Sequence, residues 1–314
     1  MNYAIVVASS LLSLAVSVPL SGALVRWRVH YAPSAGRIRL EDSEGQESST
    51  PAVTGYFSTL RRVYRLEGWA GLYKGFSPTF VGAVFMMSIL LSWLKINPTL
   101  KLTLPGKYTN YGVIGSILQS VLGLVVGIPM QVLTTRAIVT PYKLPYTKPL
   151  VACKLLLSPL ERRRPWKIYL LPGVFVSQLA TILLWTALVP LLHLVLVPLA
   201  ATPLIGVAAS VYFGFALLGS TLHTPLLVAQ SRLAVQRARS FGEGGEGGPT
   251  EAEVAAAAGV EPFSSEDVIT VRDEEAPYTG FVDCLNKMTA EEGWRTLFRA
   301  WWVTFLGFYF VAAL

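Results

Sequence analysis

Six long stretches without an acidic or basic residue constrain the fold of this 314-residue chain more than any other feature. An uncharged apolar run of about 20 residues is long enough to cross the hydrocarbon core of a bilayer as a helix. Only 14% of the residues are charged and the mean hydropathy is +0.50, whereas a soluble domain has about 25% charged residues. We therefore predict an all-α membrane protein with six transmembrane helices. The stretches are about Tyr3–Val25, Gly75–Leu94, Tyr108–Thr135, Ile168–Leu199, Ala200–Ser231 and Ala300–Leu314.

The first and the last stretch each allow a second interpretation. The first has no basic n-region and is longer than the apolar core of a signal peptide, which favours a spanning helix over a cleaved leader. As a helix, the last stretch would be only ~22 Å long at about 1.5 Å per residue. It either ends early in the bilayer or belongs to a truncated chain, and the sequence does not decide between these.

Charged residues are confined almost entirely to three segments, which predicts how the chain crosses the membrane. All 19 acidic residues and 23 of the 26 basic residues lie in Arg26–Lys74, Arg136–Lys167 and Arg232–Arg299. The loops after the first, third and fifth helices therefore share one face, and its basic residues indicate the cytoplasm-like or matrix-like side. The many acids among these basic residues argue against a nucleic-acid partner.

Two copies of one segment indicate an internal repeat. Thr54–Gly82 and Thr279–Gly307 align without gaps, and ten of their 29 positions are identical. Each copy follows a charged loop and leads into a predicted spanning helix, so the repeated unit is a helix, a loop and a second helix. The middle copy is degenerate: "ERRRPWKIYLL" stands where the others read "EGWAGLYKG" and "EGWRTLFRA".

A second marker recurs near the ends of the first, third and fifth helices, where a proline is followed by an arginine seven residues later. A proline within a membrane helix bends it, so we predict three bent helices at equivalent positions. The pairs are Pro19 and Arg26, Pro129 and Arg136, and Pro225 and Arg232. They divide the chain into units 1, 2 and 3 at residues 1–107, 108–201 and 202–314. The Gly-, Glu- and Ala-rich composition at about 240–277 predicts a flexible insert in unit 3.

These motifs resemble the signature of the mitochondrial carrier family. That signature is P-x-[DE]-x-x-[KR]-x-[KR], then 20–30 residues, then [DE]-G-x-x-x-x-[WYF]-[KR]-G, three times over. "EGWAGLYKG" (Glu67–Gly75) fits its second half fully, and "EGWRTLFRA" (Glu292–Ala300) departs only in its final alanine. The resemblance implies a pseudo-threefold barrel of six helices in a mitochondrial membrane, with the charged loops facing the matrix. The inner membrane is favoured, and the outer membrane is the alternative.

The first half of the signature departs from the family pattern in a way that concerns gating. In the family, an acid two residues after the proline pairs with a base five residues after it on the next repeat. Here neither charge is present, so this ionic lock cannot form. The acid positions hold Ser21, Gln131 and Leu227, and the base positions hold Leu24, Thr134 and Gln230. The three arginines that remain are predicted either to take part in gating or to snorkel to the membrane surface.

The resemblance also implies positions for a substrate and a lipid. Family substrate contacts lie seven and eight residues beyond the last glycine of the signature, and none of the corresponding residues here is charged. They are Gly82, Ala83, Gln178, Leu179, Gly307 and Phe308. His223 could also face the cavity, although a buried structural histidine is favoured. Cardiolipin is the implied lipid partner, at Gly55, Gly75 and Gly280.

Uncharged contact positions disfavour nucleotides, dicarboxylates and basic amino acids, because such substrates need counter-charges. We therefore predict a transporter that moves a small uncharged or weakly polar solute by alternating access. The alternative is a carrier-fold protein of the outer membrane that no longer transports and acts in fusion, lipid transfer or protein insertion. No catalytic triad, carboxylate pair or metal-ligand spacing is present in the sequence, so neither an enzyme nor a cofactor is expected.

Overall fold

The structure is a computed structural model that describes residues 3–33, 53–96, 113–145, 149–200, 205–237, 251–264, 266–272 and 276–313. Within these ranges the chain is all-helical, as predicted, and its β-type pairing is a single isolated bridge between Tyr142 and Pro262. Eleven α-helices are described, and two short 3₁₀ helices lie at Pro165–Ile168 and Trp294–Phe298. The α-helices are α1 (Tyr3–Val29), α2 (Tyr56–Leu72), α3 (Phe76–Ile96), α4 (Val113–Val139), α5 (Pro149–Leu156), α6 (Pro159–Arg163), α7 (Val174–Ala200), α8 (Ile205–Val235), α9 (Glu251–Ala257), α10 (Phe281–Glu291) and α11 (Trp301–Ala313).

Three of these helices contain segments that are long and apolar enough to cross a membrane, judged by length and composition within the described residues. The segments are Ser120–Val139 in α4, Val174–Leu192 in α7 and Gly206–Val235 in α8. A shorter apolar segment, Phe76–Phe85, lies in α3. The described part of the chain is thus all-helical, with three helices that could cross a membrane, and the layout of six spans in three units remains a proposal.

The helices α1, α4 and α8 continue past the points where the sequence predicted their ends. Each was expected to stop just before its arginine, but each extends at least three residues beyond it, so that Arg26, Arg136 and Arg232 lie inside the helices. Pro19 and its two counterparts also lie inside them. The ends of the apolar runs predicted the helix ends too early. The arginine side chains that follow are buried and paired, so the helices can include them.

The helices α3, α7 and α11 each begin directly after a residue with a positive φ angle. These residues are Gly75 (φ 85°), Gly173 (φ 77°) and Ala300 (φ 56°). The left-handed conformation favours glycine because it lacks a Cβ, and Ala300 is the non-glycine residue that adopts it within the described ranges. The shared backbone turn identifies Gly173 as the counterpart of Gly75, which the degenerate middle sequence had concealed.

The largest buried cluster joins helices of units 2 and 3 near the charged face. It contains Val132 of α4, Val174 of α7, Leu233 of α8, and Cys284 and Met288 of α10, all of which are fully buried. Burial also raises the pKa of the Cys284 thiol to about 12, so this cysteine is a neutral core residue. The loop helix α10 therefore packs against α7 and α8 in a cluster that also includes residues of α4.

Part of the insert in unit 3 is folded against the other two units. The described part begins with α9, in which Ala255 is 1% exposed. Farther along, Val268 and Ile269 belong to a second apolar cluster with Val63 and Leu72 of unit 1. The predicted flexible character of residues 240–250 lies outside the described residues.

Candidate functional site: a ring of buried ion pairs at the charged face

Arg26 of unit 1 forms a buried ion pair with the glutamate that opens the "EGWAGLYKG" motif. Its Nη2 donates to Glu67 Oε2 at 2.5 Å, and both side chains are less than 5% exposed. Lys74, from the same motif, donates to the other oxygen of Glu67 at 2.5 Å. Gly71 allows this arrangement because a Cβ there would lie 2.5 Å from Glu67 Oε2. One carboxylate is thus shared by two buried cations.

Arg136 forms the equivalent pair in unit 2, although the motif around its partner is degenerate. Its two terminal nitrogens donate to the two oxygens of Glu161 at 2.6 and 2.9 Å. Glu161 is fully buried and also accepts from Ser158 N at 2.9 Å, which completes a capping box at the start of α6. This bidentate geometry is the strongest form of an arginine–carboxylate contact.

Arg232 forms the third pair, with Glu292 of "EGWRTLFRA". Both terminal nitrogens of Arg232 donate to the carboxylate, and the contact to Oε2 is 3.0 Å long. Arg299 donates to the same Oε2 at 3.0 Å, as the counterpart of Lys74 in unit 1. The same pairing therefore occurs once in each unit, between the end of a proline-containing helix and the loop that follows.

Cations of these pairs also reach the end of the proline-containing helix in the next unit. A carbonyl at the end of a helix has no partner within the helix, and a cation there also interacts favourably with the helix dipole. The bonds run from unit 1 to 2, from 2 to 3 and from 3 back to 1. They are Lys74 Nζ to Thr140 O (2.7 Å), Arg136 Nε to Ala234 O (3.0 Å) and Arg232 Nε to Arg28 O (3.1 Å). We call this closed set of pairs and carbonyl contacts the charged-face ring.

The burial of the ring concerns one of the two interpretations of the three arginines, and a role in gating remains a prediction. These arginines do not snorkel to the surface, because Arg26, Arg136 and Arg232 are only 1%, 3% and 4% exposed. Among the described residues, the six positions of the missing ionic lock form no ion pair in its place. Gln131 donates to Thr135 Oγ1 at 3.3 Å, and Gln230 donates to Gln178.

The folded part of the insert lies across the ring between units 1 and 2. We call residues 261–264 and 266–272 the insert arm. Phe263 N donates to Pro141 O at 3.1 Å, and the Phe263 ring lies 4.3 Å from Lys74 Nζ. Arg62 of α2 donates to Glu266 Oε1 at 2.7 Å. A segment of unit 3 thus holds the loops of units 1 and 2 together.

The end of the insert arm reaches the end of α1. Thr270 O accepts from Tyr31 N at 2.8 Å, and Thr270 N donates to His30 Nδ1 at 3.3 Å. Burial, and then the neighbouring Arg299, lower the pKa of His30 to about 4. The imidazole is therefore neutral near pH 7 and serves as an acceptor for the arm.

The residues predicted to contact a substrate occupy different environments, and their role remains a prediction. Gly82 faces α4, where a Cβ would lie 2.8 Å from Met130 Sδ, while a Cβ at Gly307 would meet nothing within 4 Å. Ala83 is exposed and Leu179 is half-buried. Gln178 contacts Gln230, and Phe308 lies beside His223 with ring centroids 5.7 Å apart. Counted from Gly173, the middle pair would be Ala180 and Thr181, two residues farther on.

The glycines predicted to bind lipid stand at the starts of helices. Gly55 and Gly280 precede α2 and α10 in extended backbone, and Gly75 precedes α3. Gly173 packs directly on the start of α10, where a Cβ would lie 2.5 Å from Phe281 N. Lipid binding at these positions remains a prediction.

The charged-face ring joins helices of an all-helical structure in which three segments could cross a membrane. The model of the mitochondrial carrier protein family matches residues 8–96, from α1 through α3. This match supports membership of the chain in the mitochondrial carrier family, as the sequence motifs indicated. It also supports a solute transporter of a mitochondrial membrane in general terms. No curated protein and no solved structure matches the chain.

Sequence reasoning missed most partners in the ring. Glu67, Glu161 and Glu292 were noted only as part of the signature, and Lys74 and Arg299 were not assigned a role. A signal for the pairing was present, because each proline-linked arginine is followed by one motif glutamate that precedes the next apolar run. The contacts with carbonyls of neighbouring units could not be predicted, because every residue has a backbone carbonyl and the sequence does not mark which one accepts a hydrogen bond.

Proposed function

We propose that the protein moves a small uncharged or weakly polar solute across the inner mitochondrial membrane by alternating access. The observation that carries this proposal is the charged-face ring, in which buried ion pairs and helix-end carbonyls connect the three units in a cycle. Such a ring supports a closed state on the charged side. Opening would require cations such as Lys74 and Arg136 to leave the carbonyls of the neighbouring unit.

The solute class follows from what surrounds the predicted contact positions. The side chains of Gln178 and Phe308 at these positions offer amide and aromatic groups, and Gly82 offers backbone, but none of the three carries a charge. A polyanion such as a nucleotide would lose its hydration there without compensation. The family match favours transport over a scaffold that does not transport. Cardiolipin at Gly55, Gly75 and Gly280 is proposed as the lipid partner.

Reconstitution into liposomes tests the proposal directly. Purified protein should take up neutral solutes, such as polyols or neutral amino acids, with saturable kinetics, and it should not take up nucleotides or dicarboxylates. Replacement of Gln178 by leucine should reduce uptake, whereas Lys154→Gln, at an exposed position of the loop helix α5, should not. Absence of uptake across the whole panel would contradict transport, and a preference for nucleotides would contradict the solute class.

Alternating access has its own test at a position of the missing lock. Ser21 would be changed to cysteine in a chain whose Cys153 and Cys284 are replaced by serine. A thiol reagent that does not cross membranes should label this cysteine from either side of a proteoliposome, in proportions that change with solute. Labelling from one side only, whatever the solute, would contradict the mechanism.

A further inference from the structure

Arg28 differs from the three arginines of the ring because no carboxylate compensates its charge. It lies in the last turn of α1 and is 6% exposed. Its Nη2 donates to Thr304 Oγ1 of α11 at 2.8 Å, and its Nε has no hydrogen-bond partner. Within the described residues no ion pair includes Arg28. Two residues earlier on the same helix, Arg26 shares Glu67 with a lysine. The lack of a counter-charge is therefore specific to Arg28.

His223 of α8 presents a second set of buried polar atoms without partners. It is 7% exposed, and neither ring nitrogen forms a hydrogen bond. Its ring stands edge-on to Trp185 of α7 and Phe308 of α11, with centroids 5.6 and 5.7 Å apart. Trp185 and Phe308 stack on each other at 4.6 Å. The histidine is thus held by aromatic rings and has polar atoms left for another group.

These two side chains belong to one region of the protein. Thr304 and Phe308 are four residues apart on α11 and therefore share a face of that helix. Arg28 contacts the first of them and His223 contacts the second. A cation with a free Nε and an imidazole with two free nitrogens thus contact positions that are one helical turn apart on α11.

A buried guanidinium cannot lose its proton under ordinary conditions, and a buried charge left without a counter-charge is strongly destabilising. Water could fill the hydrogen bonds but would leave the charge uncompensated. One small anion would compensate the charge and could accept from both Arg28 Nε and the N–H of His223. The stacked Trp185 and Phe308 limit its size.

We propose that Arg28, His223 and Thr304 form a binding site for a small monovalent anion. The ligand is either a free inorganic anion or the single carboxylate of a transported solute, since both present the same chemistry to the site. The second source rests on the proposed transport function, and it would change the expected solute from a neutral molecule to a small monocarboxylate. The first source does not depend on transport.

The test is thermal unfolding of the full chain in detergent at constant ionic strength, with the sodium salt of a bulky sulfonate buffer replaced stepwise by sodium chloride or sodium acetate. A site with free anion at a hundred times its Kd should raise the midpoint by about 5–10 °C, with saturation. Stabilisation by chloride identifies a free inorganic anion, and stabilisation by acetate alone identifies a carboxylate. No saturable shift with either anion overturns the site, and this measurement needs no variant.

Variants locate the effect. Arg28→Gln should abolish the anion-dependent shift, and Thr304→Val, which keeps the arginine, should weaken it. Arg62→Gln removes a cation outside the site and should leave the shift unchanged. A shift that persists in Arg28→Gln would overturn the assignment. Because binding is measured in detergent, a chain that binds anions but takes up no solute contradicts only the proposed transport.

Discussion

Replacing Glu161 by glutamine should destabilise the protein more than any conservative change at an exposed ion pair. The carboxylate is fully buried and accepts from both terminal nitrogens of Arg136 at 2.6 and 2.9 Å. The amide keeps the size of the side chain but leaves Arg136 as a buried charge without a counter-charge. Breaking a buried pair in this way costs about 3–5 kcal/mol. Loss of the Ser158 capping box contributes to this cost.

Thermal unfolding in detergent would measure this loss. At about 2–4 °C per kcal/mol for a domain of this size class, Glu161→Gln should lower the midpoint by roughly 6–20 °C. The control is Glu266→Gln, which removes the partner of Arg62 in a pair whose carboxylate is 44% exposed and whose arginine is 9% exposed. Solvent screens this carboxylate, and exposed pairs contribute only about 0–1 kcal/mol, so this variant should lose far less stability than Glu161→Gln.

A double variant separates the charge from the packing. Arg136→Met combined with Glu161→Leu removes both charges, and such replacements are often neutral. The double variant should therefore be more stable than Glu161→Gln, although it also loses the contact with Ala234 O. Equal small losses for Glu161→Gln and Glu266→Gln would refute the argument that burial makes the ring pairs strong.

Three further predictions concern the backbone turns and the pH dependence of stability. Ala300→Gly should raise the free energy of unfolding by about 0.5–1 kcal/mol, because glycine accepts the positive φ without strain; a loss in a denaturant titration would contradict this. Gly173→Ala should prevent normal folding or lower the unfolding midpoint sharply, because the new Cβ would lie 2.5 Å from Phe281 N; a stability like that of the native chain would contradict the close contact. The pKa of His30 is about 4 in the folded state and about 6.5 when unfolded, so the unfolded chain binds more protons between these values. Stability should therefore fall as pH drops from about 6.5 towards 4, and His30→Gln should flatten this part of a pH titration of the unfolding midpoint; an unchanged slope would contradict the assignment.

Much of the helical architecture could be predicted because uncharged runs and repeated motifs are written directly in the sequence. "EGWAGLYKG" and the three proline–arginine pairs indicated the carrier family from the sequence alone. The ends of α1, α4 and α8 were placed too early because charge was taken as a boundary. A buried, paired arginine such as Arg136 removes that boundary, and pairing depends on tertiary contacts.

The details of the site were less accessible for related reasons. Glu161 lies in a degenerate motif, so only its contact with Arg136 shows that unit 2 keeps the same ion pair. Gly173 emerged as the counterpart of Gly75 through its backbone angle, because the residues before it do not align. Arg28 looked like an ordinary interfacial residue, since the lack of a partner is a property of space and not of sequence.

The charged-face ring contains three joints, which are the contacts between one unit and the next. The joints differ in the number of cations that form them, and this difference affects the order in which the units would separate. Among the described residues, Lys74 bonds to a carbonyl across the joint between units 1 and 2, Arg136 and Arg237 do so between units 2 and 3, and Arg232 and Arg299 do so between units 3 and 1. The insert arm also holds units 1 and 2 together, because Phe263 contacts both Pro141 and Lys74. If the insert arm detaches, the contact between α1 and α4 becomes the weakest of the three. We therefore expect units 1 and 2 to separate first, and the ring to open asymmetrically.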